Sequence, residues 1–189
     1  MTEKLSQTEQ DILLKIAREG LEDAVKEEPL ADINLSLLPP SLQELGASFV
    51  TLTIHGRLRG CIGTLEAYQP LAEDVQEHAV AAALQDPRFP IVQPPELPDI
   101  EIEVSALTPK TALYYEDPQD LINTLRPNID GVVLQDGFRK ATFLPQVWKQ
   151  LPTPEEFLSH LCVKMGAPAH LWQKRHLQVF TYQVQEFHE

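Results

Sequence analysis

The feature that most constrains the fold is a β-hairpin pattern in the first half of the chain. Residues 47–54 are rich in β-branched side chains, residues 57–65 form a second strand-like run, and only His55 and Gly56 separate the two. A two-residue connection between antiparallel strands requires positive φ angles, which glycine adopts without steric penalty. The pattern therefore predicts a hairpin with His55-Gly56 at its turn.

The second arm of this hairpin contains Leu58-Arg59-Gly60-Cys61-Ile62-Gly63, here called the glycine segment (residues 58–63). Glycine weakens a strand, and its presence there usually marks a bulge or a place where another backbone or a ligand comes close. The segment therefore predicts a functional site on the hairpin.

Helices and further strands follow the hairpin in a regular order. The pattern predicts a first helix capped by Ser6 and Glu9, a helix over residues 70–84, a loop over 94–98 and a strand over 100–107.

The second half of the chain repeats the order of hairpin, helix and strand. Asp136-Gly137 predicts a second hairpin turn, residues 152–165 a helix, and residues 177–184 a final strand. We interpret this order as an internal duplication, with approximate repeats at residues 41–109 and 117–187 of one domain that spans residues 1–189. The predicted fold is α+β, with both repeats sharing a mostly antiparallel sheet flanked by helices.

Charge and the absence of long apolar runs restrict the partners. The chain has 28 acidic and 15 basic residues and a net charge of -13, which repels a phosphate backbone and disfavours nucleic-acid binding. Residues 1–10 are polar and no apolar run is long enough to span a bilayer, so we predict no signal peptide, no membrane association and a cytoplasmic location.

The cysteines and histidines of the sequence do not have the spacing of a metal site. Cys61 and Cys162 lie too far apart in sequence to suggest a zinc-type pair, and the six histidines show no ligand spacing. We therefore predict no metal site and no cofactor. Cys162 and Trp148 are interpreted as core residues.

Cys61 is the candidate nucleophile of the glycine segment. Arg59 is two positions away and would share its strand face, where a guanidinium favours the reactive thiolate and can bind an anion. The backbone of Gly60 and Gly63 would cradle the anion. The alternative is that Cys61 is a small packing residue. His55 and His78 are candidate bases, which the sequence does not place.

Asp86 and Arg88 form a second candidate, as binding residues in the loop 86–90. The loop lines a pocket opposite the glycine segment under one hypothesis. Under the other, the two side chains pair and fix the end of the preceding helix.

The glycine segment resembles the signature of the AMMECR family, called AmmeMemoRadiSam system protein A in prokaryotes. The resemblance extends from the first helix to about Trp172. Further stretches similar to the pattern of that family are residues 86–90, residues 101–109, Asp130-Gly131 followed by residues 142–148, and residues 161–166. The resemblance implies two lobes of unequal size and a cleft lined by the glycine segment. It also implies work alongside a Memo-type, dioxygenase-like protein and a radical S-adenosylmethionine protein, and it supplies no established reaction.

Two functions follow as hypotheses. The favoured one is a cytosolic binding or adaptor module whose cleft holds a small anionic ligand or a peptide. The alternative is an enzyme that uses Cys61 as nucleophile or acid/base, with Arg59 as the anion clamp.

Overall fold

The computed structural model describes residues 4–189. Residues 1–3, which begin the polar stretch used to predict the absence of a signal peptide, lie outside the described residues. The chain divides into two compact units: unit 1 extends to Leu107 and includes Gln185–Glu189, and unit 2 is Thr108–Val184. Among the helices of residues 4–189, none is both long enough and apolar enough to cross a bilayer.

The helices and strands alternate along the chain. The helices are α1 (Gln7–Val25), α2 (Pro40–Gln43), α3 (Leu71–Leu84), α4 (Pro118–Thr124), α5 (Pro154–Lys164) and α6 (Leu171–Lys174). The strands are β1 (Leu45–Ile54), β2 (Arg57–Gly63), β3 (Gln69–Pro70), β4 (Ile100–Leu107), β5 (Thr111–Leu113), β6 (Gly131–Asp136), β7 (Arg139–Phe143), β8 (Gln178–Tyr182) and β9 (Val184–His188). Short 3₁₀ turns occupy Leu35–Leu37, Pro94–Asp99 and Pro145–Lys149.

Unit 1 is a sheet covered on one face by helices. Its strand order is β2-β1-β4-β9, with β3 also paired to β1, and β1 is antiparallel to β2, β3 and β4. Alternate residues of β1 and β4 enter the same core as α1 and α3, because side chains alternate across a strand. These core residues include Val50, Leu52, Ile102 and Val104 from the strands and Leu13, Leu21, Val75 and Ala79 from the helices.

Unit 2 is a separate antiparallel sheet with the order β5-β8-β6-β7. Its core is built around Trp148, whose ring stacks on Phe157 at a centroid distance of 3.7 Å. The Trp148 indole Nε1 donates to the carbonyl of Asp130 at 2.7 Å, so its polar atom is satisfied although the ring is buried. Cys162 is fully buried in this core, and burial raises the pKa of its thiol.

The predicted fold class is confirmed: the protein is α+β, with antiparallel pairing and flanking helices. The capping box of Ser6 and Glu9 starts α1 as predicted. The first hairpin turns at His55 and Gly56, both with positive φ angles of 50° and 71°.

Several boundaries differ from the prediction for physical reasons. The strands form two sheets rather than one shared sheet. The predicted strand over residues 177–184 is divided: β8 pairs within unit 2, and β9 pairs with β4. The second turn lies one residue later than predicted, because Asp136 pairs with Arg139 and Gly137 provides the positive φ angle. The predicted loop at 94–98 is a 3₁₀ turn that Gln93 and Glu96 cap.

The two units share an order of hairpin, helix and returning strand. In unit 1 the hairpin β1–β2 is followed by α3 and then by β4, which returns beside β1. In unit 2 the hairpin β6–β7 is followed by α5 and then by β8, which returns beside β6. The duplication, its boundaries and the single-domain assignment remain predictions.

Candidate functional site

The glycine segment lies on β2, at the edge of the unit 1 sheet. Leu52 of β1 pairs with Gly60, but the next residue, Thr53, pairs with Leu58, so Arg59 is an extra residue at a β-bulge. A bulge bends a strand and redirects the side chain of the extra residue. The bulge therefore determines the direction of the Arg59 side chain.

The two glycines of the segment are positions of close approach by the protein itself. A Cβ atom on Gly60 would lie 2.1 Å from the carbonyl oxygen of Ala82 in α3, far inside van der Waals contact. A Cβ atom on Gly63 would lie 2.4 Å from both the Phe49 ring and the Ser48 carbonyl oxygen. Both glycines thus allow neighbouring groups of unit 1 to pack directly against the β2 backbone.

Arg59 is bound inside unit 1. Its Nε and Nη2 donate to the two carboxylate oxygens of Glu96 at 2.7 and 3.0 Å, and its Nη1 donates to the carbonyl of Pro90 at 2.9 Å. The Arg59 side chain is only 11% exposed. The guanidinium lowers the pKa of the Glu96 carboxyl by hydrogen bonding to its charged form. An external anion would have to compete with Glu96 for this guanidinium.

Asp86 and Arg88 hold the backbone of Cys61. The Cys61 N–H donates to Asp86 Oδ2 at 2.9 Å, and Arg88 Nη2 donates to the Cys61 carbonyl at 3.2 Å. The same two side chains pair with each other at 2.7 Å. The pair therefore satisfies both backbone groups of an edge residue, much as a neighbouring strand would.

This arrangement also perturbs the Asp86 carboxyl. Hydrogen bonds from Arg88 hold the pKa of buried Asp86 far below its usual range, and the Cys61 N–H contributes in the same direction. Asp86 and Arg88 thus pair just after α3 and contact the glycine segment, and their role as binding residues stays a prediction.

The Cys61 thiol lies on the face of the sheet opposite α1 and α3. Cys61 pairs with Thr51, which in turn pairs with Glu103, so these three partly buried residues form a row across β2, β1 and β4. The Thr51 hydroxyl donates to Cys61 Sγ at 3.2 Å. Within residues 4–189, this hydroxyl is the hydrogen-bond partner of the thiol.

The structure does not join either candidate base to Cys61. His55 is exposed at the hairpin turn. His78 is buried in α3, and its Nδ1 lies 3.1 Å from Asp74 Oδ2. A nucleophile–base pair requires hydrogen-bond contact, which neither histidine makes with the thiol in the described residues.

His78 instead belongs to a buried polar cluster. The Ser48 hydroxyl donates to the same Asp74 oxygen at 2.7 Å, while Asp74 Oδ1 has no partner among residues 4–189. Because the hydroxyl points to the carboxylate rather than to the imidazole, the cluster lacks the geometry of a serine nucleophile and its base. The i, i+4 spacing of Asp74 and His78 was the one sequence signal for this cluster.

The sequence does not indicate two partners of the glycine segment, Glu96 and Thr51. Glu96 is 37 residues from Arg59, and Thr51 contacts Cys61 only because of the hairpin register. Gln93 and Glu96 form a recognisable capping pattern, but that pattern does not indicate an arginine partner. Among residues 4–189, no group of three or more His, Cys, Asp or Glu side chains is placed to hold a metal ion.

Comparison with known proteins gives a consistent family assignment. The AMMECR1 family model matches residues 14–187. A protein of Methanothermobacter thermautotrophicus is 40% identical over 189 residues, covering 98% of this chain and 96% of the relative. Protein MK0488 of Methanopyrus kandleri is 34% identical, covering 100% and 92%. The crystal structure of uncharacterized protein PH0010 from Pyrococcus horikoshii matches with a TM-score of 0.86 at 30% identity, covering 98% of this chain and 93% of the other.

Proposed function

This chain belongs to the AMMECR1 family, and we propose that it is a binding or adaptor module rather than a catalyst. Its glycine segment presents a fixed surface that holds a small anionic ligand or a peptide. The module works in the cytoplasm, alongside a Memo-type protein and a radical S-adenosylmethionine protein, as the family resemblance implies.

The observation that carries this proposal is that the polar groups of the site bind one another. Arg59 is engaged by Glu96 and Pro90, and the Cys61 backbone is engaged by Asp86 and Arg88. A cysteine nucleophile also needs a base in hydrogen-bond contact with its thiol, and among residues 4–189 neither His55 nor His78 makes that contact. The polar groups that bind one another instead stiffen the strand, which lowers the entropic cost of binding a partner.

A surface variant tests the adaptor role. Leu58 in the glycine segment is 44% exposed, and Leu37 in a 3₁₀ turn is 79% exposed. Both can therefore be changed to glutamate without placing a charge in the hydrophobic core. We expect Leu58→Glu to weaken the binding of the Memo-type or radical protein of the same organism, measured by titration calorimetry. The matched control Leu37→Glu should bind like the wild type, and so should Cys61→Ser.

The outcomes separate the two functional classes. Binding that Leu58→Glu leaves unchanged, or wild-type protein that binds neither partner, would contradict the adaptor role. Loss of binding in a folded Cys61→Ser variant would show that the thiol itself is required.

One observation supports an enzyme as the second candidate. The Thr51 hydroxyl donates to Cys61 Sγ, and a donor to sulfur stabilises a thiolate. The alternative predicts that iodoacetamide alkylates Cys61 rapidly at neutral pH, as an activated nucleophile does. Measuring this rate against pH in a Cys162→Ala background tests it, and an ordinary slow thiol favours the binding module.

A further inference from the structure

A cavity of 530 Å³ lies at the tip of the first hairpin. It is lined by Ile54, His55, Arg57, Leu58 and Arg59, all from unit 1. This volume is within the range of roughly 300–1,000 Å³ that small-molecule sites occupy. The cavity adjoins the glycine segment, since Leu58 and Arg59 belong to both.

Arg57 is the unpaired cation of this cavity. Unit 1 has 21 acidic and 7 basic residues, a net charge of -14. Five of its basic residues have a carboxylate partner within 4 Å: Lys15, Arg18, Lys26, Arg59 and Arg88. Arg57 is exposed and has no such partner among residues 4–189. The five N–H donors of the Arg57 guanidinium therefore have no carboxylate partner within the described part of the chain, although unit 1 is strongly acidic.

The hairpin turn fixes the backbone around the cavity. His55 and Gly56 adopt φ angles of 50° and 71°, as a two-residue turn between antiparallel strands requires. The bulge at Leu52/Thr53 adds Arg59 to the wall, where Glu96 and Pro90 hold it. The turn and the bulge together set the directions of the side chains that line the cavity.

The charge of the cavity distinguishes it from a second groove of similar size. That groove has a volume of 570 Å³ and lies along α3, with Asp32, Glu73 and Glu77 in its lining. Its carboxylates repel an anion. Of these two cavities in unit 1, only the hairpin cavity combines guanidinium groups with the apolar side chains Ile54 and Leu58.

We propose that the hairpin cavity binds a small organic carboxylate. The Arg57 guanidinium contacts the carboxylate with two parallel hydrogen bonds, because its planar fork matches that group. Ile54 and Leu58 contact the apolar body of the ligand. The inference rests on the proposed function, and it names the chemical class of the small anionic ligand.

Benzoate is the probe, with benzamide as its uncharged analogue and inorganic phosphate as an anion without an apolar body. Each is titrated at millimolar concentrations into the full chain while backbone amide resonances of residues 54–59 are followed by NMR. We expect saturable shifts with benzoate and much weaker binding of the other two. Arg57→Met should weaken benzoate binding about tenfold or more, because charge-assisted hydrogen bonds are lost.

The control variant removes the same charge elsewhere in unit 1. Lys15→Met affects an exposed residue that pairs with Glu19 on α1, and it should bind benzoate like the wild type. Equal affinities of Arg57→Met and wild type would overturn the proposal, as would equal binding of benzamide. Phosphate binding tighter than benzoate would overturn the assignment of an organic carboxylate.

The two proposals fail in distinguishable ways. If benzoate does not bind but Leu58→Glu still weakens partner binding, the cavity is wrong and the adaptor role stands. If benzoate binds through Arg57 but neither partner protein binds in the calorimetric titration, the cavity is supported and the adaptor role is wrong.

Discussion

Gly60 has no Cβ atom, and the Ala82 carbonyl oxygen of α3 lies 2.1 Å from where that atom would be in any other residue. Its neighbour Cys61 contributes to the structure through its backbone, which Asp86 and Arg88 hold from outside the sheet. Arg59 is fixed by Glu96. At the residue scale, each of these three residues of the segment is therefore fixed by a contact with another group of unit 1.

Replacing Gly60 with alanine should destabilise unit 1. The added methyl group meets a helix backbone, which yields less readily than a side chain, so we expect a loss of about 2–3 kcal/mol. Urea unfolding followed by far-ultraviolet circular dichroism measures the change. Cys61→Ala on the same strand adds no atoms and should cost about 1 kcal/mol or less. A Gly60→Ala variant as stable as the wild type would show that α3 and β2 can separate freely.

Acid should weaken the hold of Asp86 on β2. Because Arg88 lowers the pKa of Asp86 in the folded protein, the carboxylate contributes stability above its unfolded value, about 3.9. That contribution is lost as the pH falls below 3.9 through the folded value. Stability measured from pH 6 downward should therefore fall more steeply in the wild type than in Asp86→Asn. The control, exposed Asp99→Asn, should follow the wild type; parallel curves for all three would contradict this account.

At the scale of secondary-structure elements, β9 has a role out of proportion to its length. It comes directly after β8 of the other sheet, yet it extends the unit 1 sheet beside β4. Phe187 is 5% exposed within the unit 1 core, and Arg18 of α1 pairs with Glu189 just after the strand. The last residues of the chain therefore help to close the first unit.

Two phenylalanines test this role of β9. Phe187→Ala should destabilise the protein by about 3 kcal/mol, because it leaves a cavity in the unit 1 core. Phe138→Ala, at the fully exposed tip of the second hairpin, should change stability by less than about 0.5 kcal/mol. Chemical denaturation measures both. Similar values for the two variants would mean that β9 adds little to the unit.

At the scale of the whole molecule, the charge is divided unequally. Unit 1 has a net charge of -14, while unit 2 has 7 acidic and 8 basic residues and a net charge of +1. Like charges destabilise a compact state through mutual repulsion. Both tryptophans, Trp148 and Trp172, belong to unit 2, so tryptophan fluorescence reports on that unit.

Salt should therefore stabilise the two units differently. Raising the ionic strength from about 0.01 to 0.1 M shortens the screening length from about 30 to 10 Å, which reduces repulsion within unit 1. We expect amide hydrogen exchange in β1 and β4 to slow more than exchange in β6 and β8. Equal slowing in both units would show that the net charge of unit 1 has no measurable cost.

The sequence by itself determined the local structure and the family. The hairpin turn, the capping box of Ser6, the fold class and the family membership follow from residues close together in the chain, since turn geometry, capping and periodicity are short-range properties. The glycine segment was identifiable as a site of close approach for the same reason.

Only the tertiary structure decided what approaches that segment. Groups from four other elements or loops contact β2: the Ala82 carbonyl, Glu96, the Asp86–Arg88 pair and the Thr51 hydroxyl. The pairing of β9 with β4 likewise joins strands that lie far apart in the chain. Such contacts depend on packing between residues distant in the chain, and a single sequence holds no local pattern that specifies them.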